Sequence, residues 1–464
     1  MRYDPDPHFD EAFSAPDEVR EPYRQVLEAL EGCDLRKLSE RVSRDASDRG
    51  MTFGDEEEPF HLDPVPRIID ADEWELLERG LVQRARTLNA FLADVYGERK
   101  MVRAGRIPER VVDSAAPLEP ELASLPAPEF PAGVTGFDIV RDDTGELLVL
   151  EDNVRTPSGG AYATEAREIL DARLPVKAPR ARRPLGLAEC LAATLRGAAP
   201  AGCDEPAPVL LSDGPGSSAF WEHRILAREL AIAIVSPDDL EVRSGRLWAR
   251  GNGGSRRRPV DVVYRRTDES QLRDRAGRLT WLGELFLEPL RNGTVGCVNG
   301  FGTGVADDKL VHAYVDEMTR FYLDEDPLIR SVTTYDPGEP EVRASILDRI
   351  DELVIKPRTG HGGRGVIVCP HASPADRERA AELVRTRPEE CVAQETINLS
   401  THPTVVDGAL APRHVDLRAF VFCAPAGARA MPGGLTRVAL DSGALVVNSS
   451  MNGGGKDTWM LGRS

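Results

Sequence analysis

Residues 352–366, ELVIKPRTGHGGRGV, put one lysine at the end of an alternating apolar run and four glycines in the six residues that close the following loop: Gly360, Gly362, Gly363 and Gly365 flank His361 and Arg364. Glycine lets backbone N–H groups approach an anion because no Cβ stands in the way. Lys356, at the end of a strand, adds a fixed positive charge. This is the chemistry of a flap over nucleotide phosphates. The same string also reads as a glycine-rich hairpin turn with an incidental lysine.

A second constellation lies upstream. The segment GFDIVRDDTGELLVLEDN reads as a hairpin turning at Asp142–Gly145. Glu151 and Asn153 are two apart on a strand and share a face. With the turn centred on Asp143–Thr144, Asp138 pairs with Val149 and lies diagonal to Glu151, about 7–8 Å away. Oxygen ligands so spaced suit Mg²⁺, which keeps waters and bridges carboxylates to phosphates. The alternative is a solvated hairpin edge, and a slip of one residue would turn Asp138 to the other face. The next loop, Arg155–Gly160 (RTPSGG), offers a cation, two hydroxyls and a glycine pair, fit for a carboxylate or phosphate or simply a turn.

Further charged groups follow. Lys309 closes GTGVADDK, Gln394 and Glu395 lie in AQETINLS, Asp416 and Arg418 share a strand face in HVDLRAFV, and Arg437 lies in GGLTRVAL. Asn448, Asn452, Gly453, Gly454, Gly455 and Lys456 lie in NSSMNGGGKDTW, which is not a P-loop because Asp457 replaces the Ser or Thr. Together, Lys309, Lys356 and Lys456 with several arginines supply charge for phosphates, an inventory suited to phosphoryl transfer. A rival is Gly214–Ala219, a G-x-G-x-x-A match after the strand APVLLSD, with Asp238 and Asp239 downstream; it would bind NAD in an oxidoreductase.

These groups need elements to hold them. Residues 17–48 read as two helices, and 72–97 as one long amphipathic helix with Trp74, Leu77, Leu81, Leu88, Phe91 and Leu92 at helical spacing. Linkers are expected at 115–132 and near 177–184. Residues 207–300 alternate strand and helix in a Rossmann-like way, and 305–464 mix helices with several strands. At 464 residues the chain exceeds one ordinary core. Hydrophobic content of 41% and charged content of 29% are those of a globular protein. A net charge of −19 argues against a broad nucleic-acid surface, though local cations govern a nucleotide site because charges more than about 8 Å away are largely screened. The first residues, MRYDPDPHFDEAF, carry no basic leader, and no apolar run approaches a membrane span, so neither signal peptide nor membrane segment is expected. Seven scattered cysteines, none in a CxxC pair, fit a reducing cytoplasm and no zinc site.

Several long motifs, in one order, resemble the circularly permuted ATP-grasp family related to glutathionylspermidine synthase (type 2). They run from HLDPVPRII through LNAFLADVYGE, LEDNVRTPSG, GTGVADDK, VIKPRTGHGGRG, AQETINLSTHPT and PRHVDLRAFV to NSSMNGGGKDTW. The resemblance implies an α/β (α+β) chain with a permuted ATP-grasp fold: a helical region at 1–125, the metal hairpin within 126–180, a Rossmann-like subdomain at 181–304, and nucleotide-binding subdomains at 305–464. It implies that Asp138, Glu151 and Asn153 hold Mg²⁺, that Lys309 and Lys356 bind ATP, that Gly360–Gly365 covers the phosphates, that Gln394 and Glu395 flank the adenine, and that Ser158 lies near substrate. The synthase has an arginine two residues before the aspartate ligand, where this chain has Gly136, so Arg155, Arg418 and Arg437 are the candidates for the transition-state cation. The activity implied is an ATP- and Mg²⁺-dependent carboxylate–amine ligase joining a small-molecule or peptide acid to an amine through an acylphosphate. An ATP-binding scaffold without catalysis is the third alternative.

Overall fold

In the computed structural model, the described residues are 3–5, 7–54, 58–125, 128–177, 186–250, 257–268, 271–274, 276–360, 363–441, 443–444 and 453–462. Gly362, Asn448, Asn452 and most of the expected linker near 177–184 fall outside them.

A central eight-stranded sheet organises the molecule. Its main path runs Leu62–Ile69, Gly453–Met460, Leu435–Ala439, Ala409–Ala424, Val134–Arg141, Leu147–Asn153, while Thr401–Val406 and Gly427–Ala430 also pair with the long strand Ala409–Ala424. All the pairings are antiparallel except Gly453–Met460 with Leu62–Ile69, which is parallel. Alternation along the long strand separates two cores. Leu417, Ala419 and Val421 join Phe137, Ile139 and Val149 beneath the helix Ala71–Val95. Phe420 and Phe422 face the other way, toward the helices Leu35–Asp48 and Gly160–Arg173. Each such Leu or Phe contributes about 1.5–3 kcal/mol over its exposed state. The long helix begins where Asp70 accepts the Glu73 N–H at 2.8 Å, and it buries the apolar stripe read from its spacing.

Two smaller sheets flank this core. Gly296–Val298, Val262–Arg265, Pro208–Leu211 and Ala233–Val235 form an all-parallel sheet in that order, the Rossmann-like unit. Thr334–Tyr335, Cys391–Glu395, Leu353–Pro357 and Ile367–Val368 form an antiparallel sheet, with the helices Pro340–Asp348 and Pro374–Thr386 beside it.

Three expectations change. The N-terminal region is not purely helical, because Leu62–Ile69 is a strand of the central sheet. The chain beyond 305 does not stay together: only 334–395 builds the small antiparallel sheet, and 401–460 returns to the central one. The hairpin register also differs. Arg141 pairs with Leu147 and Ile139 with Val149, and then a bulge shifts the register so that Asp138 pairs with Glu151 itself. Val149 has turned its backbone outward, accepting from Val332 N–H and donating to the Arg330 carbonyl.

Candidate active site

The uncovered end of the central sheet, the Rossmann-like unit and the small antiparallel sheet enclose one cleft of about 820 Å³. Asp138, Glu151, Asn153, Arg155, Ser158, Lys309, Lys356, Gly360, Gly363, Gln394, Glu395, Arg418 and Arg437 all line it. Two expected residues do not. Gly365 (φ +77°) stands off the cleft wall, where a Cβ would meet Pro357 Cγ at 2.8 Å, so its task is close packing of the loop exit on its entry. Lys456 is fully buried elsewhere. It pairs with Asp63 and donates to the Pro403 carbonyl at 3.1 Å. Its strand runs beside Leu62–Ile69, which turns the side chain into the core, so the expectation that it binds nucleotide is withdrawn.

Cross-strand register builds the charged floor. Arg418 lies opposite Asp138, and Asp138 opposite Glu151, in one row; Asp416 and Arg437 form the next. Arg418 Nε and Nη2 donate to the two Asp138 oxygens at 2.7 and 2.8 Å. Arg437 grips Asp416 at 2.8 and 2.5 Å and reaches Asp138 Oδ2 at 2.9 Å. Burial alone would raise the Asp138 carboxyl, but Arg418 and then Arg437 outweigh it and hold it well below the usual carboxylate range. For Asp416 burial prevails and its pKa is raised. Glu151 is likewise raised by burial but lowered overall, mainly by Lys309, whose Nζ lies 2.8 Å from Oε1.

Lys309 Nζ also donates to the Gly360 carbonyl at 2.9 Å, tying the first lysine to the glycine loop. Lys356 Nζ donates to Gln394 Oε1 at 2.5 Å, and Gln394 Nε2 donates to Thr334 Oγ1 at 2.9 Å. The Gln394 side chain therefore orients Lys356. Burial pushes the Lys356 ammonium down to about 8. Glu395 accepts from the Tyr335 hydroxyl at 2.6 Å and from Arg349.

Mg²⁺ can be tested against this donor set. Among the described residues no group of three or more His, Cys, Asp or Glu is placed to hold an ion alone. Two carboxylates and an amide on one face leave coordination positions for phosphate oxygens and water, as Mg²⁺ prefers. Asp138 Oδ1, engaged only by Arg418 Nε, keeps acceptor capacity for the ion, while the buried, unpartnered Asn153 Nδ2 is a donor suited to a phosphate oxygen beside it. The residues fit the ion.

The other end of the cleft belongs to the RTPSGG loop. Arg155 is engaged by Asp307 at 2.5 Å and Asp268 at 3.6 Å. Gly159 and Ala161 N–H groups at the start of the helix Gly160–Arg173 donate to Glu222. Arg266 donates to Ser158 Oγ at 2.7 Å and the Pro157 carbonyl at 2.8 Å, and its Nε donates to His223 Nε2 at 3.3 Å. An arginine only donates, so His223 carries its proton on Nδ1 toward Ser212 Oγ, 2.8 Å away. Burial, then the Arg266 charge, pushes His223 down to about 2. Arg266, His223, Glu222 and Asp307 were not singled out from the sequence. The signal was there for Arg266, which follows the strand Val262–Arg265 at its carboxyl end, where α/β sheets bind ligands. Phe53, Phe60 and Tyr162 add an aromatic wall.

The rival motif opens on the same cleft. Gly214–Gly216 form a short 3₁₀ turn, Gly216–Ala219 line the cleft, and the helix Phe220–Glu229 follows. Asp239, one of the two acids noted downstream of the motif, accepts from the Ser236 N–H and hydroxyl at 2.9 and 2.7 Å.

Known proteins match this chain over most of its length. Residues 66–439 match the family described as circularly permuted ATP-grasp type 2. A protein of Frankia casuarinae named "Putative glutamate--cysteine ligase 2-2" is 43% identical over 99% of this chain and 54% of its own length. An uncharacterised protein of Mycobacterium tuberculosis is 40% identical over 98% of this chain and 84% of its own. One of Synechocystis sp. is 39% identical over 99% and 98%. The chain spans about half the length of the Frankia relatives, each covered over 54%. No described helix is long and apolar enough to cross a membrane. On the match across most of its length, the chain belongs to the circularly permuted ATP-grasp type 2 family.

Proposed function

We propose that the protein is an ATP- and Mg²⁺-dependent carboxylate–amine ligase that forms an amide or peptide bond through an acylphosphate. The observation that carries this reading is the shared cleft: the Asp138/Glu151/Asn153 face and the Lys309/Lys356 pair open into one space with the glycine loop. A carboxylate oxygen of the acid attacks Pγ of ATP, and the bond from Pγ to the β,γ-bridging oxygen breaks, releasing ADP. The amine nitrogen then attacks the acyl carbon, the C–O bond to phosphate breaks, and the nitrogen loses a proton. Bound Mg²⁺ would supply charge neutralisation at the phosphates, held by Asp138, Glu151 and Asn153. Lys309 and Lys356 would neutralise the migrating phosphoryl group and hold it in line.

Among the three candidate arginines the geometry favours Arg418. Arg155 is already engaged by Asp307, and Arg437 is clamped between two carboxylates. Arg418 lines the cleft and holds Asp138 through Nε and Nη2, while its Nη1 makes one long contact, 3.4 Å to the Ser158 carbonyl.

The test is a screen for ADP release over acids crossed with amines, short peptides included, with mass detection of the condensed product. The name carried by the Frankia relatives makes glutamate and cysteine one arm of it. ATP binding with no ADP release from any pair would leave a scaffold. Binding of NADH in place of ATP would point to the oxidoreductase reading instead.

A further inference from the structure

The two lysines of the cleft stand on different segments, and one buried ion pair ties those segments together. Asp308 immediately precedes Lys309, and Arg358 follows Lys356 by two residues. Arg358 Nε donates to both Asp308 oxygens at 2.8 Å, and the two side chains are 4% and 2% exposed. Neither lines the large cleft.

Each partner has a second anchor. Asp308 Oδ1 accepts the Leu310 N–H at 2.9 Å and so caps the short helix Lys309–His312. Arg358 Nη1 donates to Ser114 Oγ at 2.7 Å, Nη2 to the Val111 carbonyl at 2.6 Å, and its backbone N–H to the Glu390 carbonyl at 2.8 Å. The pair is therefore fixed to the end of the helix Glu109–Asp113, to the lysine-bearing helix and to the small sheet at once. Taking two charges out of water is costly, and replacing them with apolar groups is often neutral for stability, so such a pair is better explained by the geometry it enforces. Lys309 is one residue from it and Lys356 two, within about 7 Å along the backbone. The Lys309 contact with the Gly360 carbonyl crosses the same gap from the cleft side.

We propose that the Asp308–Arg358 pair is a positioning element that fixes the spacing between Lys309 and Lys356, and that this spacing selects for a polyphosphate chain. The proposal rests on the nucleotide reading above. The pair touches no phosphate itself. It acts through the two lysines, so its loss should be felt by ligands in proportion to their phosphates and not by the nucleoside part.

The experiment is displacement of a fluorescent ATP analogue by ATP, AMP and adenosine, in the wild-type protein and in Asp308→Asn and Arg358→Lys, with folding checked by circular dichroism. Asp308→Asn keeps an oxygen to cap the helix while removing the charge. The expected result is an ATP affinity about tenfold or more weaker in both variants, with adenosine affinity unchanged and AMP between them. Unchanged ATP affinity, or equal weakening of ATP and adenosine, overturns the proposal. So do two variants that fail to fold, since the pair would then be a folding element. A wild-type protein that binds neither ATP nor adenosine overturns the nucleotide reading itself, and this one with it.

Discussion

Asp138 and Glu151 face each other directly across their hairpin, although the strands leave the turn in a register that would put Leu150 opposite Asp138. The bulge supplies the one-residue shift. Deleting Leu150 should remove the bulge and leave a regular ladder in which Glu151 still faces Asp138 and Asn153 keeps the cleft face. We expect ligase turnover to fall about 100-fold or more in Glu151→Ala and in Lys356→Ala while the protein still folds. Near-normal steady-state rates in either substitution would remove the residue from the mechanism.

Arg418 and Arg437 share Asp138 but should separate by assay. Arg437 is the only described partner that grips Asp416, and Arg437→Met leaves that buried carboxylate uncompensated, at a cost of about 3–5 kcal/mol in a urea titration. Arg418→Met should move the unfolding midpoint less and turnover more, about 100-fold. The reverse pattern would assign the transition-state charge to Arg437.

Lys356 gives the pH dependence a sign. Burial, aided by Lys309 and opposed by Glu151 and Asp138, brings its ammonium down to about 8. Above that pH the free protein loses a phosphate-binding charge, so kcat/KM for ATP should fall about tenfold per unit. Lys356→Met should flatten that limb. Between about 8 and the unfolded-chain value of about 10.4 the unfolded state holds more protons, so this group's contribution to stability rises with pH across that window.

Lys456 supplies a contrast. Lys456→Met strands Asp63 in the core and should lower stability by about 3–5 kcal/mol while the KM for ATP stays unchanged. A raised KM at full stability would return this lysine to the nucleotide.

The line between what was legible in the sequence and what was not follows the range of the interactions. Lys356 and its loop were legible because strand, charge and glycines are contiguous. Glu151 and Asn153 were legible because a two-residue spacing fixes a shared face. Lys456 was misjudged because a lysine beside three glycines offers charge for phosphates until its strand is seen to pair with Leu62–Ile69. The bulge was missed because Val149 answers to Arg330 and Val332, which no local pattern announces. His223 and Arg266 gained meaning only when the Rossmann-like unit met the RTPSGG loop.

The parallel pairing of Gly453–Met460 with Leu62–Ile69 sets a timetable for synthesis. The Lys456–Asp63 pair that rivets it spans 393 positions. On the ribosome, Leu62–Ile69 must wait for the long intervening stretch of chain before the neighbour that separates it from Leu435–Ala439 exists. A nascent chain arrested before Gly453 therefore carries two bare, apolar strand edges, and these are the surfaces by which unfinished copies would stick to one another.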